Sequence, residues 1–434
     1  MAAKVYFLDD RSNSGPTSLV SKMLAVFDAA GLDQIVKPGD LVAIKVHCGE
    51  YNNTAYLRPV YARALADRVK SLGGRPFVCD TTTMYYGSRA TALDELLTAE
   101  RNGLTSATLG CPFIVADGFH GTDDLRIDLP EGFILREAYV AKAIALADVL
   151  IALTHFKGHG AGVYGGAIKN LGIGCQSKRG KHNVHLGGHP RYGWAVGASA
   201  YFPQRCGGRE CERWQSCESA CPWGLIHVGQ SGIEIELERC SGCSSCAGLI
   251  SCGVLQYPED HYDAFCTAIA DGALGVVKAV GREKVGFVNM AIDVVPACDC
   301  ASFSDRPVVP NLGVFASRDP VAVDQACLDR LNATPGIAGS RAEEMGVARP
   351  GLPKLPAVAA AVGSSQELQL TAGAFNGLGE REYELVALEP PTQVSMPFDA
   401  RRPREKFAEL VRRDEICPPG GFRRLPEVDL SRMR

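Results

Sequence analysis

Cysteine is the residue type whose number and spacing in this sequence could do the most chemistry. The chain has 17 cysteines in 434 residues, and eight of them fall between Cys206 and Cys252. The N-terminus, MAAKVYFLDD, lacks the charged start and long apolar core of a signal peptide, so we expect a cytoplasmic protein. Thiols stay reduced in that compartment. Clustering at this density therefore predicts metal binding rather than disulfides.

The second half of this cluster has the spacing of an iron–sulfur loop. It reads CSGCSSCAGLISC, with Cys240, Cys243 and Cys246 at C-x2-C-x2-C and with Cys252 after a longer gap. Three thiolates at three-residue steps can surround one face of a 4Fe-4S cluster. Structural zinc usually takes two C-x2-C pairs separated by a spacer, and this layout does not match that arrangement.

The first half, CGGRECERWQSCESACP, is a looser form of the same loop. Its spacing is C-x4-C-x5-C-x3-C-P, whereas the regular bacterial ferredoxin run is C-x2-C-x2-C-x3-C-P. In two-cluster ferredoxins the fourth cysteine of each run ligates the other cluster, so we expect crossed ligand sets. The alternative is zinc, or one cluster with spare thiols. The two predicted 4Fe-4S ligand sets are Cys206, Cys211, Cys217 and Cys252, and Cys240, Cys243, Cys246 and Cys221.

A glycine-rich stretch supplies the second group of candidate residues. HFKGHGAGVYGGAIKNLGIGC, residues 155–175, follows a strand-like segment. A short helix that starts near Gly165 would turn backbone N–H groups toward an anionic ligand. Lys157, His159 and Lys169 are the candidate acid/base or anion-binding groups. The glycines match neither the Walker nor the dinucleotide pattern, so we infer no nucleotide, and no motif demands a flavin.

A third feature is the C-x-C pair of Cys298 and Cys300, which flanks Asp299 just after a predicted strand. Two thiolates on one extended segment can bind metal. Together with Cys175 and a histidine they would make an additional metal or cluster site. The alternative is that these are packed thiols, because free cysteine is one of the most buried residue types.

Strand and helix signals alternate around these groups. The strand-like runs include KVYFLDD, LVAIKV, PFVCD and DVLIAL, and the helix-length segments include PTSLVSKMLAVFDAAG, YARALADRVKSLGG and LREAYVAKAIALA. This rhythm predicts an α/β fold with a doubly wound, mostly parallel sheet. Ligands of such sheets bind beyond the carboxyl ends of the strands. At those ends this sequence has the polar segments HCGEYNNT, DTTTMYYGSR and THFKGHGAG.

The cysteine-rich segment interrupts this alternation. We predict an α/β domain in two halves, 1–200 and 259–370, with a ferredoxin-like 4Fe-4S module inserted at 201–258 and a C-terminal extension at 371–434. The formal net charge of -4 gives no sign of a nucleic-acid partner. No apolar run reaches the roughly 18 residues that a membrane span needs. We therefore expect binding to neither nucleic acid nor membrane.

Taken together, the motifs resemble the domain of unknown function 362 family over about residues 1–335. Segments in that family's order include KVHCGEYNNTAYLRP, VADGFHG, DVVPACDC and PNLGVFASRDPVAVDQA. The resemblance implies an α/β domain with a bacterial-type ferredoxin insert, iron–sulfur binding and oxygen-averse metabolism, but no settled reaction. The departures are the widened first run and Gly253 where a proline would follow Cys252. By motif match it carries over Lys157, His159, Lys169, Asn170, Cys175, Cys298, Asp299, Cys300, Asp319 and Asp324.

These features favour an iron–sulfur oxidoreductase. Electrons from a redox partner protein would pass through two 4Fe-4S clusters to a small anionic substrate or a metal centre in the α/β crevice. Two alternatives stay open. One is a non-enzymatic ferredoxin-like carrier, and the other is a maturation factor that hands a cluster or sulfur to another protein through Cys175, Cys298 and Cys300.

Overall fold

The computed structural model of the chain describes residues 2–187, 189, 200–243, 245–246, 252–359, 363–393, 412–425, 427 and 431. The strands are β1 (Ala3–Leu8), β2 (Leu41–Lys45), β3 (Arg75–Asp80), β4 (Phe113–Val115), β5 (Asp124–Asp128), β6 (Glu137–Ala141), β7 (Val149–His155), β8 (Lys157–His159), β9 (Val163–Gly165), β10 (Ala200–Tyr201), β11 (Ile226–Val228), β12 (Ile233–Ile235), β13 (Leu255–Gln256), β14 (Val285–Ala291), β15 (Gly313–Ser317) and β16 (Tyr383–Ala387).

The α-helices are α1 (Leu19–Ala29), α2 (Pro59–Ser71), α3 (Ala92–Arg101), α4 (Ser106–Leu109), α5 (Lys142–Ala145), α6 (Ala167–Gly172), α7 (Lys178–Val184), α8 (Trp214–Ser219), α9 (His261–Val280), α10 (Pro320–Ala333), α11 (Arg341–Glu344), α12 (Lys354–Val358), α13 (Glu367–Phe375) and α14 (Arg413–Ile416). Helix α14 belongs to a second unit, 397–434, and the other elements belong to the unit 1–396. None of the helices in the described part of the chain has the length and apolar character that a membrane span requires.

Eight strands form the main sheet, in the order β16-β1-β15-β14-β7-β2-β3-β4. Neighbouring strands are parallel except where β15 pairs with β1 and with β14. The predicted α/β fold with a mostly parallel sheet is confirmed. Edge strand β16, which pairs with β1, lies in the segment that the sequence analysis assigned to a C-terminal extension.

Helices cover both faces of this sheet. The side chains of β7 alternate between two buried clusters, with Val149, Ile151 and Leu153 in one and Leu150 and Ala152 in the other. The first cluster also contains side chains of α1 and α2, and the second contains side chains of α6, α9 and α10. Because successive strand residues point to opposite faces, the continuous apolar run DVLIAL is buried on both sides.

The segment LREAYVAKAIALA differs from its helical interpretation. Residues 137–141 form β6, which pairs with β5, and only Lys142–Ala145 is helical. Ala138 and Val140 are buried while Glu137 and Tyr139 are half-buried, which is the two-residue period of a strand. The good helix-forming residues of this segment are thus overridden by the pairing with β5.

The cysteine-rich segment has a small apolar cluster of its own. Strands β10 and β13 pair at its two ends, and β11 and β12 form a hairpin between them. Trp214 packs against the cluster, whereas Trp223 is half exposed. The buried members of the cluster are Ile226, Val228, Ile233, Ile235, Val254 and Leu255.

Candidate functional site

Cysteines from both runs line one small cavity in the cysteine-rich segment, called here the cysteine cavity. Those cysteines are Cys221, Cys240, Cys243 and Cys246. Apolar side chains, including Trp223, complete its wall. The backbone N–H of Leu225 lies 3.4 Å from Cys221 Sγ, and the N–H of Gly242 lies 3.4 Å from Cys240 Sγ. Thiolates in apolar surroundings that accept N–H hydrogen bonds fit a 4Fe-4S cluster.

The other four cysteines of the two runs are grouped around Cys217. Burial raises the pKa of the Cys217 thiol, and nearby Cys252, Cys211 and Cys206 raise it further. The N–H of Gly208 donates to Cys206 Sγ at 3.4 Å. Gly208 has a φ of +61°, and a Cβ there would lie 2.2 Å from a backbone oxygen, so this turn requires glycine.

A larger cavity of about 720 Å³, the strand-end cavity, opens at the carboxyl ends of the central strands. Lys45 at the end of β2, Asp80 at the end of β3 and His155 at the end of β7 belong to its wall. His47 and His159, just past β2 and β7, also line it. The sequence analysis did not name Lys45 or His47. The signal for both was their position where a buried strand ends.

The hairpin β8–β9 brings two of the three predicted catalytic residues to the strand-end cavity. Lys157 and His159 occupy the two ends of β8, so their side chains share a face. Between them, the N–H of Gly158 donates to Val295 O at 2.9 Å. A Cβ on Gly158 would lie 2.2 Å from Pro296 O. Glycine is therefore needed for the hairpin to approach the segment that follows β14.

The helix after this hairpin does not offer its N-terminus to an external anion. The N–H groups of Ala167 and Ile168 donate to the two carboxylate oxygens of Asp324, at 2.7 and 3.0 Å. A Cβ on Gly166 would lie 2.4 Å from Asp324 Oδ1. The expectation that these N–H groups bind an anionic ligand is therefore wrong, because the protein's own carboxylate occupies the position. Lys169, the third predicted catalytic residue, lies on the same helix and lines the strand-end cavity.

Asp299 holds the segment after β14 against the sheet. His155 Nδ1 lies 2.9 Å from Asp299 Oδ1, and His155 Nε2 lies 2.9 Å from Ile292 O. Lys157 Nζ lies 3.4 Å from Asp299 Oδ2. Burial would raise the pKa of Asp299, but His155 and Lys157 lower it to about 2. Both ring nitrogens of His155 face oxygen atoms, so this histidine acts as a structural donor.

Cys298 and Cys300 meet His159 in the wall of the strand-end cavity. One ligand-type atom from each of these residues lies within 4.8 Å of the other two. Lys169 Nζ lies 4.0 Å from Cys298 Sγ, and the N–H of Cys300 lies 3.4 Å from the same sulfur. A hydrogen bond from the Cys300 thiol and the ammonium groups of Lys169 and Lys157 outweigh burial and hold the pKa of Cys298 well below its usual range. The chain thus has a buried thiol of lowered pKa in a group that is also a candidate for metal binding.

Two imidazole rings lie in the same wall as Cys298. His47 and His159 line the strand-end cavity with it, and the sulfur of Cys298 acts to raise the pKa of each ring while burial lowers it more strongly. Nδ1 of His159 accepts from the N–H of Gly162 at 2.7 Å, and Nδ1 of His47 accepts from the N–H of Gly49 at 3.0 Å. Burial lowers the pKa of His159 to about 4, so its ring is neutral at pH 7. The proton of a neutral ring whose Nδ1 accepts a hydrogen bond is on Nε2.

Cys175 is not a member of this group. The sequence-based prediction joined Cys175 and a histidine to Cys298 and Cys300, and of these the described structure groups only a histidine, His159, with the two cysteines. Cys175 follows the far end of α6 and is buried near Lys45. Burial raises the pKa of its thiol to about 12. The tertiary structure therefore separates Cys175 from Cys298 and Cys300, which the sequence alone could not show.

A second group of ligand-type atoms lies beneath the strand-end cavity. One atom each from Cys48, Asp80 and Glu95 lies within 4.8 Å of the others, and all three residues are buried. The Cys48 thiol donates to Glu95 Oε1 at 3.1 Å, and Lys45 Nζ lies 2.8 Å from Asp80 Oδ1. Burial raises the pKa of Glu95 to about 8. With Glu95 protonated, the group carries less negative charge for binding a metal ion. Its hydrogen bond and ion pair instead hold together the residues next to the strand-end cavity.

The second cysteine loop contacts the wall of the strand-end cavity. The N–H of Tyr86 donates to Ser245 Oγ at 3.0 Å. Tyr85, the neighbour of Tyr86, lines the strand-end cavity. The loop that carries Cys240, Cys243 and Cys246 therefore contacts Tyr86, whose sequence neighbour Tyr85 is part of that wall.

These observations define an α/β protein with a cysteine-rich segment, candidate metal-binding groups and a buried thiol of lowered pKa at the carboxyl ends of its strands. The chain belongs to the family described as "Domain of unknown function (DUF362)", whose model matches residues 42–329. The resemblance inferred from the motifs is confirmed.

Among solved structures, the chain is similar to the lactate racemase apoprotein from Thermoanaerobacterium thermosaccharolyticum. The two are 13% identical with a TM-score of 0.34, and the match covers 67% of this chain and 51% of that chain. The chain therefore spans about half the length of that structure. No curated protein matches this chain.

Proposed function

We propose that this protein is an iron–sulfur oxidoreductase in which two 4Fe-4S clusters deliver electrons to a small anionic substrate in the strand-end cavity. The observation that carries the proposal is the position of Cys221 in one cavity with Cys240, Cys243 and Cys246. A cysteine that one run contributes to the cluster of the other is the ligand arrangement of two-cluster ferredoxins. When bound, the clusters would supply single electrons.

The contact between the second cysteine loop and Tyr86 favours an enzyme over a simple carrier. The proposed cluster would therefore lie next to a cavity large enough for a substrate. A redox partner protein would donate electrons near Cys252, which is exposed.

The charges of the strand-end cavity favour an anionic substrate. Lys157 has the carboxylate of Asp299 as a partner. Lys169 contacts Cys298 Sγ, and Lys181 Nζ contacts a threonine hydroxyl and a backbone carbonyl oxygen. An excess of positive charge in a narrow cavity attracts anions and orients them.

Iron and sulfide analysis of anaerobically purified double variants tests the proposal. In crossed ligand sets, Cys221→Ser with Cys243→Ser damages a single cluster, and about four of about eight irons per chain should remain. Cys252→Ser with Cys243→Ser damages both clusters, and almost no iron should remain. Uncrossed sets reverse these two outcomes.

Cys417→Ser is the matched control because Cys417 is exposed and lies outside both runs. It should retain the wild-type iron content and the electron paramagnetic resonance signals of the reduced clusters. Wild-type protein that binds zinc instead, or about four irons or fewer, would contradict the two-cluster proposal.

A further inference from the structure

We propose that Cys298 and Cys300 are a redox-active dithiol that closes to an intramolecular disulfide within the strand-end cavity. The inference rests on the proposed function for the source of its electrons. It adds to that function a two-electron step between single-electron clusters and the substrate.

The backbone of the C-x-C segment already brings the two sulfurs together. The N–H of Ala301 donates to Cys298 O at 2.9 Å, which closes a turn over residues 298–301. The two Sγ atoms lie within 4.8 Å of each other. A disulfide needs about 2.05 Å between sulfurs, a change that side-chain rotation and a small backbone adjustment can supply. Both sulfurs line the strand-end cavity, so a substrate there can reach them.

The surroundings assign different roles to the two thiols. Thiol–disulfide chemistry begins with attack by the thiol whose sulfur is best stabilised as an anion. Cys298 Sγ lies 3.4 Å from the N–H of Cys300 and 4.0 Å from Lys169 Nζ. These contacts make Cys298 the better placed nucleophile and Cys300 its partner in the disulfide.

The polarity of the histidine hydrogen bonds favours this dithiol over a metal site. A histidine that binds metal almost always donates its other ring N–H to an oxygen atom. At His159 and His47, the second nitrogen instead accepts a backbone N–H, from Gly162 and Gly49 respectively. A neutral ring held in this way has no free lone pair for a metal ion. It has an N–H group that can stabilise a thiolate.

The step balances with the groups that have been named. In the reducing direction the Cys298–Cys300 disulfide bond breaks, takes up two electrons and one proton, and yields the Cys298 thiolate and the Cys300 thiol. The two electrons come one at a time from the iron–sulfur clusters. In the oxidising direction the two sulfurs form the disulfide bond again, and their two electrons and the Cys300 proton pass to a reducible group of the anionic substrate.

Tyr85 and Tyr86 connect the second cysteine loop with the cavity wall that contains the dithiol. Tyr86 contacts Ser245 on the second cysteine loop. Its neighbour Tyr85 lies in the same cavity wall as Cys300, close enough for the two side chains to interact electrostatically.

Peptide mapping by mass spectrometry tests the proposal directly. Residues 285–318 lie between tryptic cleavage sites and contain no cysteine other than Cys298 and Cys300. Anaerobic holo-protein is oxidised with diamide, its free thiols are blocked with N-ethylmaleimide, and the protein is digested without reduction. We expect this peptide to be two hydrogen atoms lighter and without N-ethylmaleimide. A peptide with two N-ethylmaleimide groups would overturn the proposal.

Cys300→Ser should abolish the disulfide and leave Cys298 modified once, whereas Cys327→Ser, which removes a buried cysteine elsewhere, should change nothing. A divalent metal that protects both thiols until a chelator is added would also overturn the proposal.

In a second experiment, photoreduced deazaflavin supplies single electrons to oxidised holo-protein. The disulfide should open at least about tenfold more slowly in Cys221→Ser, where one cluster is damaged.

The two proposals can fail separately. If the protein binds no clusters but still forms the disulfide, the proposed function is wrong and the dithiol proposal stands. Protein with about eight irons that forms no disulfide would sink the dithiol and spare the clusters.

Discussion

The two groups of cysteines in this molecule differ in what stabilises a thiolate. In the cysteine cavity, burial raises the pKa of Cys240, and it raises the pKa of Cys246 to about 12. In the strand-end cavity, Cys300, Lys169 and Lys157 keep the pKa of Cys298 low despite burial. Burial therefore disfavours ionisation of Cys240 and Cys246, which a bound cation would offset, whereas at Cys298 the protein's own charges and hydrogen bonds oppose the effect of burial.

The packing around the two groups differs in the same way. The cysteine-rich segment has one small cluster of buried apolar side chains, whereas the main sheet has an extensive cluster on each face. A segment with so small a core usually depends on a metal for its stability. The strand-end cavity is held instead by ion pairs and hydrogen bonds on a well-packed sheet.

The largest expected effect comes from removing iron. Apo-protein should be cleaved rapidly by trypsin between residues 203 and 254, for example after Arg209 or Arg213, because metal binding supplies much of the folding free energy there. The circular dichroism of the α/β sheet should be retained, as should resistance to cleavage within 2–187. If this segment resists trypsin equally in apo- and holo-protein, metal binding does not stabilise it, and the proposed difference between the two cysteine groups is wrong.

Among single substitutions at the strand-end cavity, Gly158→Ala should lower the free energy of unfolding the most. Its Cβ would lie 2.2 Å from Pro296 O, so the hairpin and the segment after β14 must separate. We expect a loss of about 1–3 kcal/mol in the free energy of unfolding. Gly160→Ala is the matched control in the same hairpin, because a Cβ there meets nothing within 4 Å. Equal melting temperatures for the two variants would refute the close approach.

Lys169→Met should raise the apparent pKa of Cys298 by about one unit or more, because it removes a positive charge next to the sulfur. The pH dependence of iodoacetamide labelling of peptide 285–318 measures this pKa. Lys142→Met, which changes a half-exposed lysine paired with Asp123, serves as the control. An unchanged pH profile in Lys169→Met would show that this lysine does not stabilise the thiolate.

Glu95→Gln should have the smallest effect at neutral pH, and its effect should depend on pH. Burial raises the pKa of Glu95 from 4.5 to about 8, so between these values the folded state holds a proton that the unfolded state has lost. Wild-type stability must fall as the pH rises through that window, and the variant lacks this dependence. The difference in free energy of unfolding, variant minus wild type, should increase from pH 5 to pH 8. In the control Glu100→Gln, on the exposed side of the same helix, it should stay constant.

Much of the fold could be predicted because strand and helix periodicity is local. The alternation of strands and helices predicted the mostly parallel sheet, and the polar strand ends pointed to the region where the cavity lies. The helical interpretation of residues 137–141 failed because pairing with β5 is a long-range contact. The sequence led us to expect Cys175 and a histidine beside Cys298 and Cys300, but it could not show which histidine, for the same reason. From sequence order alone, Cys175 and His159 are equally plausible neighbours of the two cysteines. Only the β8–β9 hairpin brings His159 close to Cys298 and Cys300.

The sequence by itself determined which residues can bind metal and in what spacing, because the repeat of thiolates along a loop is a property of the chain. It predicted crossed cluster ligands, which remain a prediction. Only the tertiary structure decided which thiol is ionised. That outcome depends on Lys169, His47 and His159 converging on one sulfur from three separate elements, and electrostatic interactions at a few ångströms have no signature in sequence order.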